Sequence, residues 1–568
     1  MNRFSRQGLS QSLNFLVECP WIAYTGIVLL QVKVMFRIWE FRDLAPGDTS
    51  YYYLTVFNWL DEGKGNIAQS PLYTLFLAGL HKLLDEPFWV LTTARIGIAT
   101  GASLLTLALL RRLLPKHIAW MIAAWWVLLS INFDTAYSVH LFSALFPLGL
   151  FVVATRADNL LGRGMVLAGL LLTAVLVRNE YAALFILWLL VLPGYEFYLR
   201  RWKGRRPPLK NYLVAYGLPL LVVFLIIGVF YVRARPGGLP EIEKELAMKQ
   251  AGNMCQIYAF NRLQQGDPWR GNPWNQCEEL LQRDFGRSEV SFPQAFFLNP
   301  RAILQHVWWN ARLIPNGTQL ALFDFYSGGP NPDYMPAKKS PLVWIPFFLV
   351  AGLAGFAAIR CLAIPALRRG RSVDNGFAWL LMASAGALVL GLMLMQRPRP
   401  SYMFPCTVFI MALTGLGLHG LIEFLHITKP FRILVPIFGI SLILFVPSHY
   451  NASYVNYYGY EGQPLLKSFE RISPHIDSSS ESPMVIVTPR GDESLCNYLD
   501  EESCTAIQYK KIAGPNLGYY VKSLGVNWIY LRGLKGREIK YDEQQWELVA
   551  QGTSKKGRWI LLHRQAPD

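Results

Sequence analysis

Residues 211–233 read NYLVAYGLPLLVVFLIIGVFYVR, with no charge before the closing Arg233. A bilayer core takes about 20 mostly apolar residues per helix, so this stretch predicts a transmembrane helix. Arg200, Arg201, Lys203, Arg205, Arg206 and Lys210 stand just before it, and a long polar segment, 234–340, follows. Lysine and arginine concentrate in short cytoplasmic loops. The flank before residue 211 is therefore read as inside, and the long segment after residue 233 as outside.

The same criteria, carried outward in both directions, predict eleven spans: 20–39, 89–110, 117–132, 137–155, 163–177, 181–199, 211–233, 341–360, 376–396, 401–424 and 431–447. The apolar run 71–84 is too short to span and is read as a helix at or in the outer surface. One alternate set of loops holds nineteen lysines and arginines, from Arg3 and Arg6 through Arg111, Arg112 and Lys116 to Lys429 and Arg432. The other set holds six: Arg42, Lys64, Lys82, Arg178, Arg397 and Arg399. The N-terminus is thus expected in the cytoplasm and the C-terminal tail outside. Composition agrees with a membrane protein, since 52% of the 568 residues are hydrophobic and 16% charged, against about 25% charged in soluble domains. The net charge of +16 sits mostly in the short loops and sets orientation, which argues against nucleic-acid binding. No cleavable signal peptide is expected, because the first apolar run lacks a small-residue cleavage site.

Four regions follow: an N-terminal transmembrane module (1–233) with its first external loop (40–88), an external loop domain (234–340), C-terminal transmembrane helices (341–447) and an external α/β domain (448–568). The loop domain reads as loops with short helices, and 299–313 (NPRAILQHVWWNARL) as an amphipathic helix on the membrane surface. In the tail, 484–488 (MVIVT) and 527–531 (NWIYL) read as strands, 520–525 as the end of a helix, and 546–551 with 558–563 as a closing hairpin. Cys255 and Cys277 fall in the loop domain, Cys496 and Cys504 in the tail. Two pairs in two external regions suit disulfides in an oxidising compartment, with the connectivity open.

Ionisable residues at a membrane edge are candidates for function, and here they gather at the outer ends of the spans. The loop after the first span carries Asp43 and Asp48, with a Pro46-Gly47 turn between them and the aromatic run Tyr51, Tyr52, Tyr53 behind. A carboxylate fixed by such a turn suits a general base, although Asp48 is equally suited to capping helix 49–60. Arg178-Asn179-Glu180-Tyr181 stands at the mouth between the fifth and sixth spans. Gln396-Arg397-Pro398-Arg399-Pro400-Ser401-Tyr402 ends the ninth. Two arginines on the outer side run against the charge bias, and guanidinium groups are suited to holding phosphate. Arg95 opens the second span. His140 and His306 are isolated, and no metal-ligating spacing, phosphate-binding glycine loop or GxSxG is present. Neither a metal nor another cofactor is expected.

This arrangement resembles the GT-C class of integral-membrane glycosyltransferases, such as the protein O-mannosyltransferases and the lipid A aminoarabinose transferases. The resemblance is carried by PGDTSYYY (46–53), SPLYTLFLAGL (70–80), TARIGIATGASLL (93–105), DTAYSVHLFSALFPLGLFVVATRA (134–157), VLVRNEY (175–181) and RPRPSYMFP (397–405). It covers residues 20–200 and 395–447. It implies a GT-C-like helical fold and transfer of a single sugar, with inversion, from a polyprenyl-phosphate donor at the outer face. Asp48 would be the catalytic base. Arg397 and Arg399, with Arg95 and Arg178, would hold the phosphate, with Glu180, Tyr402 and Tyr52 also binding substrate. The tail would help recognise a glycan, lipid or protein acceptor in a bacterial inner membrane. The chain departs from the pattern where many relatives carry a glutamate at the opening of the fourth span, since His140 and Ser143 stand there. Trp308-Trp309 is followed by Asn310, so the Trp-Trp-Asp signature of oligosaccharyltransferases is absent. A lipid or polysaccharide transporter, and a polymerase or ligase using diphosphate-linked glycans, are the alternatives. Repeated halves and midplane charges, expected of a transporter, are not evident in the sequence.

Overall fold

The computed structural model describes residues 18–565 except 41–47, 67, 69, 130–131, 133–137, 158, 204–207, 234–237, 335–336, 364–374, 448–463, 477–483, 489–492, 500–503, 509–524, 535–542 and 555–556. A helix stands at each of the eleven predicted spans: α1 (Pro20–Val34), α4 (Pro87–Leu113), α5 (Lys116–Leu128), α6 (Ser138–Ala154), α7 (Leu160–Leu176), α8 (Tyr181–Lys203), α9 (Leu209–Val232), α14 (Trp344–Ala363), α15 (Gly376–Met395), α16 (Phe404–Phe424) and α17 (Thr428–Phe445). Among the described residues, six helical segments, including Leu209–Val232, are long and apolar enough to cross a membrane by length and composition, and others are apolar but shorter. Along α9, Leu221, Phe224, Leu225 and Val229 are all more than half exposed. A surface of that kind is covered by lipid rather than water. The chain is an α-helical polytopic membrane protein with a small C-terminal sheet.

The chain divides into two compact units, one comprising residues 1–34, 65–73 and 97–447, the other 35–64, 74–96 and 448–568. In the first unit α7 packs on α6 and α8, α16 on α14 and α15, and α5 on α1 and α17. A π-turn, Leu213–Gly217, interrupts α9 where it crosses α7. The crossing is close enough that a Cβ at Gly164 would lie 1.8 Å from the Ala215 carbonyl oxygen. Beside it the buried Arg163 donates to Glu196 at 2.6 Å, and the Tyr216 hydroxyl donates to the same carboxylate at 2.7 Å.

The segment between α9 and α14 is more helical than the sequence suggests. It holds α10 (Gly238–Gln264), α11 (Cys277–Phe285), α12 (Phe292–Leu298) and α13 (Pro300–Phe323), then the pairing of β1 (Phe325–Tyr326) with β2 (Lys338–Lys339). The amphipathic reading of 299–313 stops ten residues short, because α13 carries Pro315 inside it. Proline usually ends a helix; here packing on α15 and on Pro400–Tyr402 overrides that preference. One face of α13 is exposed at Leu304 and Trp308, and the other buries His306, Asn310, Leu313 and Gln319. Cys255 and Cys277 form a disulfide between α10 and the first residue of α11. Asp267, in the segment that the bridge closes, is bonded to Arg283 through two donors at 2.9 Å and to Arg262 at 3.1 Å. The hydrogen bonds from Arg283 hold its carboxyl down at about 2, below the ordinary 3.8. A depressed carboxylate stabilises the fold above its unfolded pKa and loses that contribution as pH falls through the folded value. Protection of the α10–α11 amides from hydrogen exchange should therefore weaken between pH 4 and pH 2, by about 1–2 kcal/mol after solvent screening at Arg283. Asp267→Asn should remove that step. Identical pH profiles for the two proteins would exclude this origin.

In the second unit α2 (Asp48–Asp61) and α3 (Pro71–Leu84, which enters this unit from Thr74) are tied by Trp59 Nε1 donating to Thr74 at 2.9 Å and by Tyr53 to His81 at 2.7 Å. The tail forms one five-stranded sheet in the order β4 (Thr505–Gln508), β3 (Val485–Thr488), β5 (Trp528–Leu534), β7 (Gly557–Arg564), β6 (Trp546–Ser554). β3 runs parallel to β4 and β5, while β6 and β7 are the antiparallel hairpin. Ile486, Val487, Ile529 and Tyr530 are fully buried, as expected of central strands covered on both faces. α18 (Pro464–Ile472) packs here, with Tyr530 donating to Ser468 at 3.2 Å. The strand β4 was missed in the sequence because its four residues, TAIQ, carry too little pattern. Cys496 and Cys504 form a disulfide. The helix end expected at 520–525 lies outside the described residues, apart from Gly525.

Candidate functional site

Four helix ends of the first unit meet at one pocket of roughly 600 Å3, counting its open mouth. α6 supplies His140 and Ser143, the α7–α8 turn supplies Arg178 and Glu180, α15 supplies Leu388, Val389, Leu392 and Met393, and the turn into α16 supplies Ser401 and Tyr402. Aliphatic side chains make up much of the lining, and the polar groups Arg178, Glu180 and His140 are bonded to one another.

Arg178 is held from three directions. Its Nε and one terminal nitrogen donate to the two Glu180 oxygens at 3.1 and 2.5 Å, and the other terminal nitrogen donates to His140 Nδ1 at 2.8 Å. Accepting that bond requires His140 Nδ1 to be unprotonated, so the imidazole is neutral with its proton on Nε2. Burial alone would raise the Glu180 carboxyl, yet the adjacent guanidinium holds it down at about 2. A carboxylate so acidic accepts a proton poorly near neutral pH. Glu180 thus anchors Arg178.

The Tyr402 ring is where the two arginine loops meet. Arg178 stands 5.7 Å from its centroid, Arg399 stands 5.4 Å from it, and the His140 ring packs against it edge-on at 4.8 Å. Arg399 also stands 4.5 Å over Tyr334 and bonds Asp333 through Nε at 3.1 Å. Arg178, Glu180, Arg399 and Tyr402, four residues singled out in the sequence, are thus together.

Arg397 is placed differently. It is 1% exposed and donates to Asn261 Oδ1 at 3.0 Å, to the Pro332 carbonyl at 3.3 Å and to the Asn331 carbonyl. Asn261 in turn donates to His306 Nδ1 at 3.1 Å and to Asn310 Oδ1 at 2.7 Å, and His306 Nε2 donates to the Met395 carbonyl at 2.8 Å. Burial, opposed by that carbonyl and aided by Arg397, holds His306 down at about 4, so it is neutral at pH 7. This fully buried network fixes segment 331–334, and with it the partners of Arg399.

The RPRP loop also needs Gly317. A Cβ there would lie 2.2 Å from the Pro398 carbonyl oxygen, a backbone atom that cannot move aside alone. Gly317→Ala should displace the loop and lower Tm by several degrees, corresponding to about 1–3 kcal/mol for overpacking. An unchanged Tm together with unchanged activity would show that the loop is not held there.

Asp48 is the first residue of α2, and its side chain, like Asp43, lies outside the described residues. Tyr52 in α2 and Arg95 in α4 are both buried; like Asp48 they belong to the second unit and are described with it. Sequence reasoning missed the roles of Asn261, His306, Asn310, Asp333 and Tyr334. His306 and Asn310, four apart in α13, share the helix face that could have flagged them. Among the described residues no group of three His, Cys, Asp or Glu side chains is placed to hold a metal.

No protein-family model and no curated protein matches the sequence. Among solved structures, the chain is similar to the apo oligosaccharyltransferase of Archaeoglobus fulgidus, at 14% identity over 89% of this chain and 69% of that one, with a TM-score of 0.48. It is also similar to ArnT of Cupriavidus metallidurans bound to undecaprenyl phosphate, at 13% identity over 95% of this chain and 96% of that one, with a TM-score of 0.37. Those two proteins are GT-C glycosyltransferases, the class that the sequence motifs resemble.

Proposed function

We propose that this chain is a membrane glycosyltransferase that moves one sugar from a polyprenyl-phosphate donor to an acceptor at the non-cytoplasmic face, inverting the anomeric centre. The observation that carries the reading is the convergence of the Arg178 and Arg399 guanidinium groups on the Tyr402 ring, where Arg178 and Tyr402 line a largely apolar pocket. Guanidinium groups beside an apolar pocket have the chemistry of a site for a lipid phosphate. The orientation is supported by the lysine and arginine bias of the loops and by two disulfides in segments assigned to the outside.

In this mechanism Asp48 takes the proton of the acceptor hydroxyl as its oxygen attacks the anomeric carbon. The bond to the lipid phosphate breaks on the opposite face, and the charge gathering on the phosphate is stabilised by Arg178 and Arg399. Arg397 serves by fixing the loop that orients Arg399. Tyr52 and Arg95, residues of the second unit, are the further substrate-binding residues of this reading. In that unit α2 touches the short helix α19 (Cys496–Leu499) of the tail domain. That contact supports a role for the tail in presenting the acceptor near Asp48.

The test uses purified protein in lipid nanodiscs with a panel of synthetic polyprenyl-phosphate sugars. Polyprenyl phosphate should be released in step with sugar transferred. Movement of intact donor between leaflets, with no released lipid phosphate from any donor, would replace the enzyme with a transporter.

A further inference from the structure

Beyond the phosphate site, Arg399 leads from Tyr402 to a second aromatic group. Tyr334, Phe260 and Trp274 form a closed triangle: ring centroids lie 4.4 Å apart for Phe260–Tyr334 and 5.2 Å apart for both Trp274–Tyr334 and Trp274–Phe260. Phe260 and Tyr334 are tilted by 32° to each other, and Trp274 stands edge-on to both, at 77° and 73°. Such triads normally close a core, but this one leaves the indole 44% exposed. The indole is also held in place from its backbone. The Trp274 amide donates to Asn272 Oδ1 at 2.9 Å, its carbonyl accepts from Gln256 at 3.4 Å, and the Cys255–Cys277 bridge closes the segment around it. Charged groups stand against the rings: the Arg399 guanidinium lies 4.5 Å over the Tyr334 centroid and pairs with Asp333, and the buried Arg397 guanidinium lies 5.4 Å over the same ring.

We infer that Trp274, with Tyr334 and Phe260, is a sugar-binding platform that stacks a pyranose ring beside the phosphate site. A pyranose has an apolar face of C–H groups, polarised positive, and a hydroxyl rim. A rigid aromatic face suits the first, because its π-cloud is negative. The Asp333 carboxylate, 23% exposed, suits the second. The position supplies the rest: Arg399 touches both Tyr402, which lines the pocket, and Tyr334, so a ring on the platform lies one arginine away from the pocket lining. The inference rests on the proposed glycosyltransferase reading for its substrate class, and it names the recognition residues that reading lacks.

The test is saturation-transfer NMR on the full-length protein in nanodiscs with methyl α-D-mannopyranoside, methyl β-D-glucopyranoside and methyl β-D-galactopyranoside as probes. At least one should receive saturation on the ring protons of one face. Trp274→Ala should weaken its binding about tenfold, the scale of one lost aromatic contact. Trp274→Phe should largely restore it, and the exposed position should leave Tm close to wild type in both. Transfer assays then locate the ring: a rise in KM for donor alone places the donor sugar on the platform, and a rise for acceptor alone places the acceptor glycan there. Saturation unchanged by Trp274→Ala, or no saturation by any of the three glycosides, overturns the inference and leaves Trp274 as an interfacial anchor. Because the glycoside measurement needs no turnover, a wild-type protein that binds sugar but transfers none would sink the enzyme reading while the platform stands.

Discussion

Asp48→Asn is expected to abolish detectable sugar transfer while expression, Tm and donor binding stay at wild-type levels. The substitution separates two roles that one residue at the start of α2 can play. As a helix cap, asparagine serves about as well as aspartate, since both present an oxygen to the first free amides. As a general base it fails, because the neutral amide cannot take the acceptor proton. General-base help is typically worth about 10²–10⁴-fold, so the loss lies in kcat with little change in donor KM. Asp48→Ala should lose the same activity and in addition about 1 kcal/mol of stability from the missing cap. Transfer assayed with purified donor decides between the roles. Wild-type turnover by Asp48→Asn would leave Asp48 a cap and move the base to another residue.

The spans were legible because a bilayer imposes a length and a polarity that a single sequence displays. Residues 211–233 alone announce a helix in lipid, and a helix is there. The π-turn within it was not legible, since it follows from the close approach of Gly164 to the Ala215 carbonyl, a contact between residues some fifty positions apart. The strands of the tail were legible at MVIVT and NWIYL, where burial on both faces writes a continuous apolar run. The loop domain was misjudged for the opposite reason. Its prolines and glycines signal breaks, while α10 and α13 continue under the constraint of a disulfide and of packing on α15. At the site, the charge anomaly of RPRP was visible, but not the division of labour within it. Arg397 and Arg399 are two residues apart and look equivalent. One is buried against Asn261 and two backbone carbonyls, and the other lies between Tyr334 and Tyr402. Only partners 65 to 136 positions away distinguish them.

That division yields a second large effect. Arg399→Ala should reduce kcat/KM for the donor by about 10²–10³, the range found when one preorganised charge-stabilising donor is removed. Arg399→Lys keeps the charge but not the planar group that reaches Asp333 through Nε while facing two rings, so it should recover only part of the loss. Both changes should lower Tm less than Arg397→Ala does, because the ion pair that the buried Arg399 makes with Asp333 is partly open to solvent on the Asp333 side. Arg397 should behave in the opposite sense. Arg397→Ala removes the donor to Asn261 Oδ1 and to the Pro332 carbonyl inside the protein, a loss of about 1–3 kcal/mol for each buried acceptor left unsatisfied. It should appear first as a fall in Tm, with activity lost only as segment 331–334 loosens. Measuring donor KM, kcat and Tm for the three variants separates a residue that meets phosphate from one that positions it. If Arg397→Ala keeps its Tm and loses donor affinity, while Arg399→Ala keeps both affinity and rate, the two arginines exchange roles and the lipid phosphate lies on the other side of the RPRP loop.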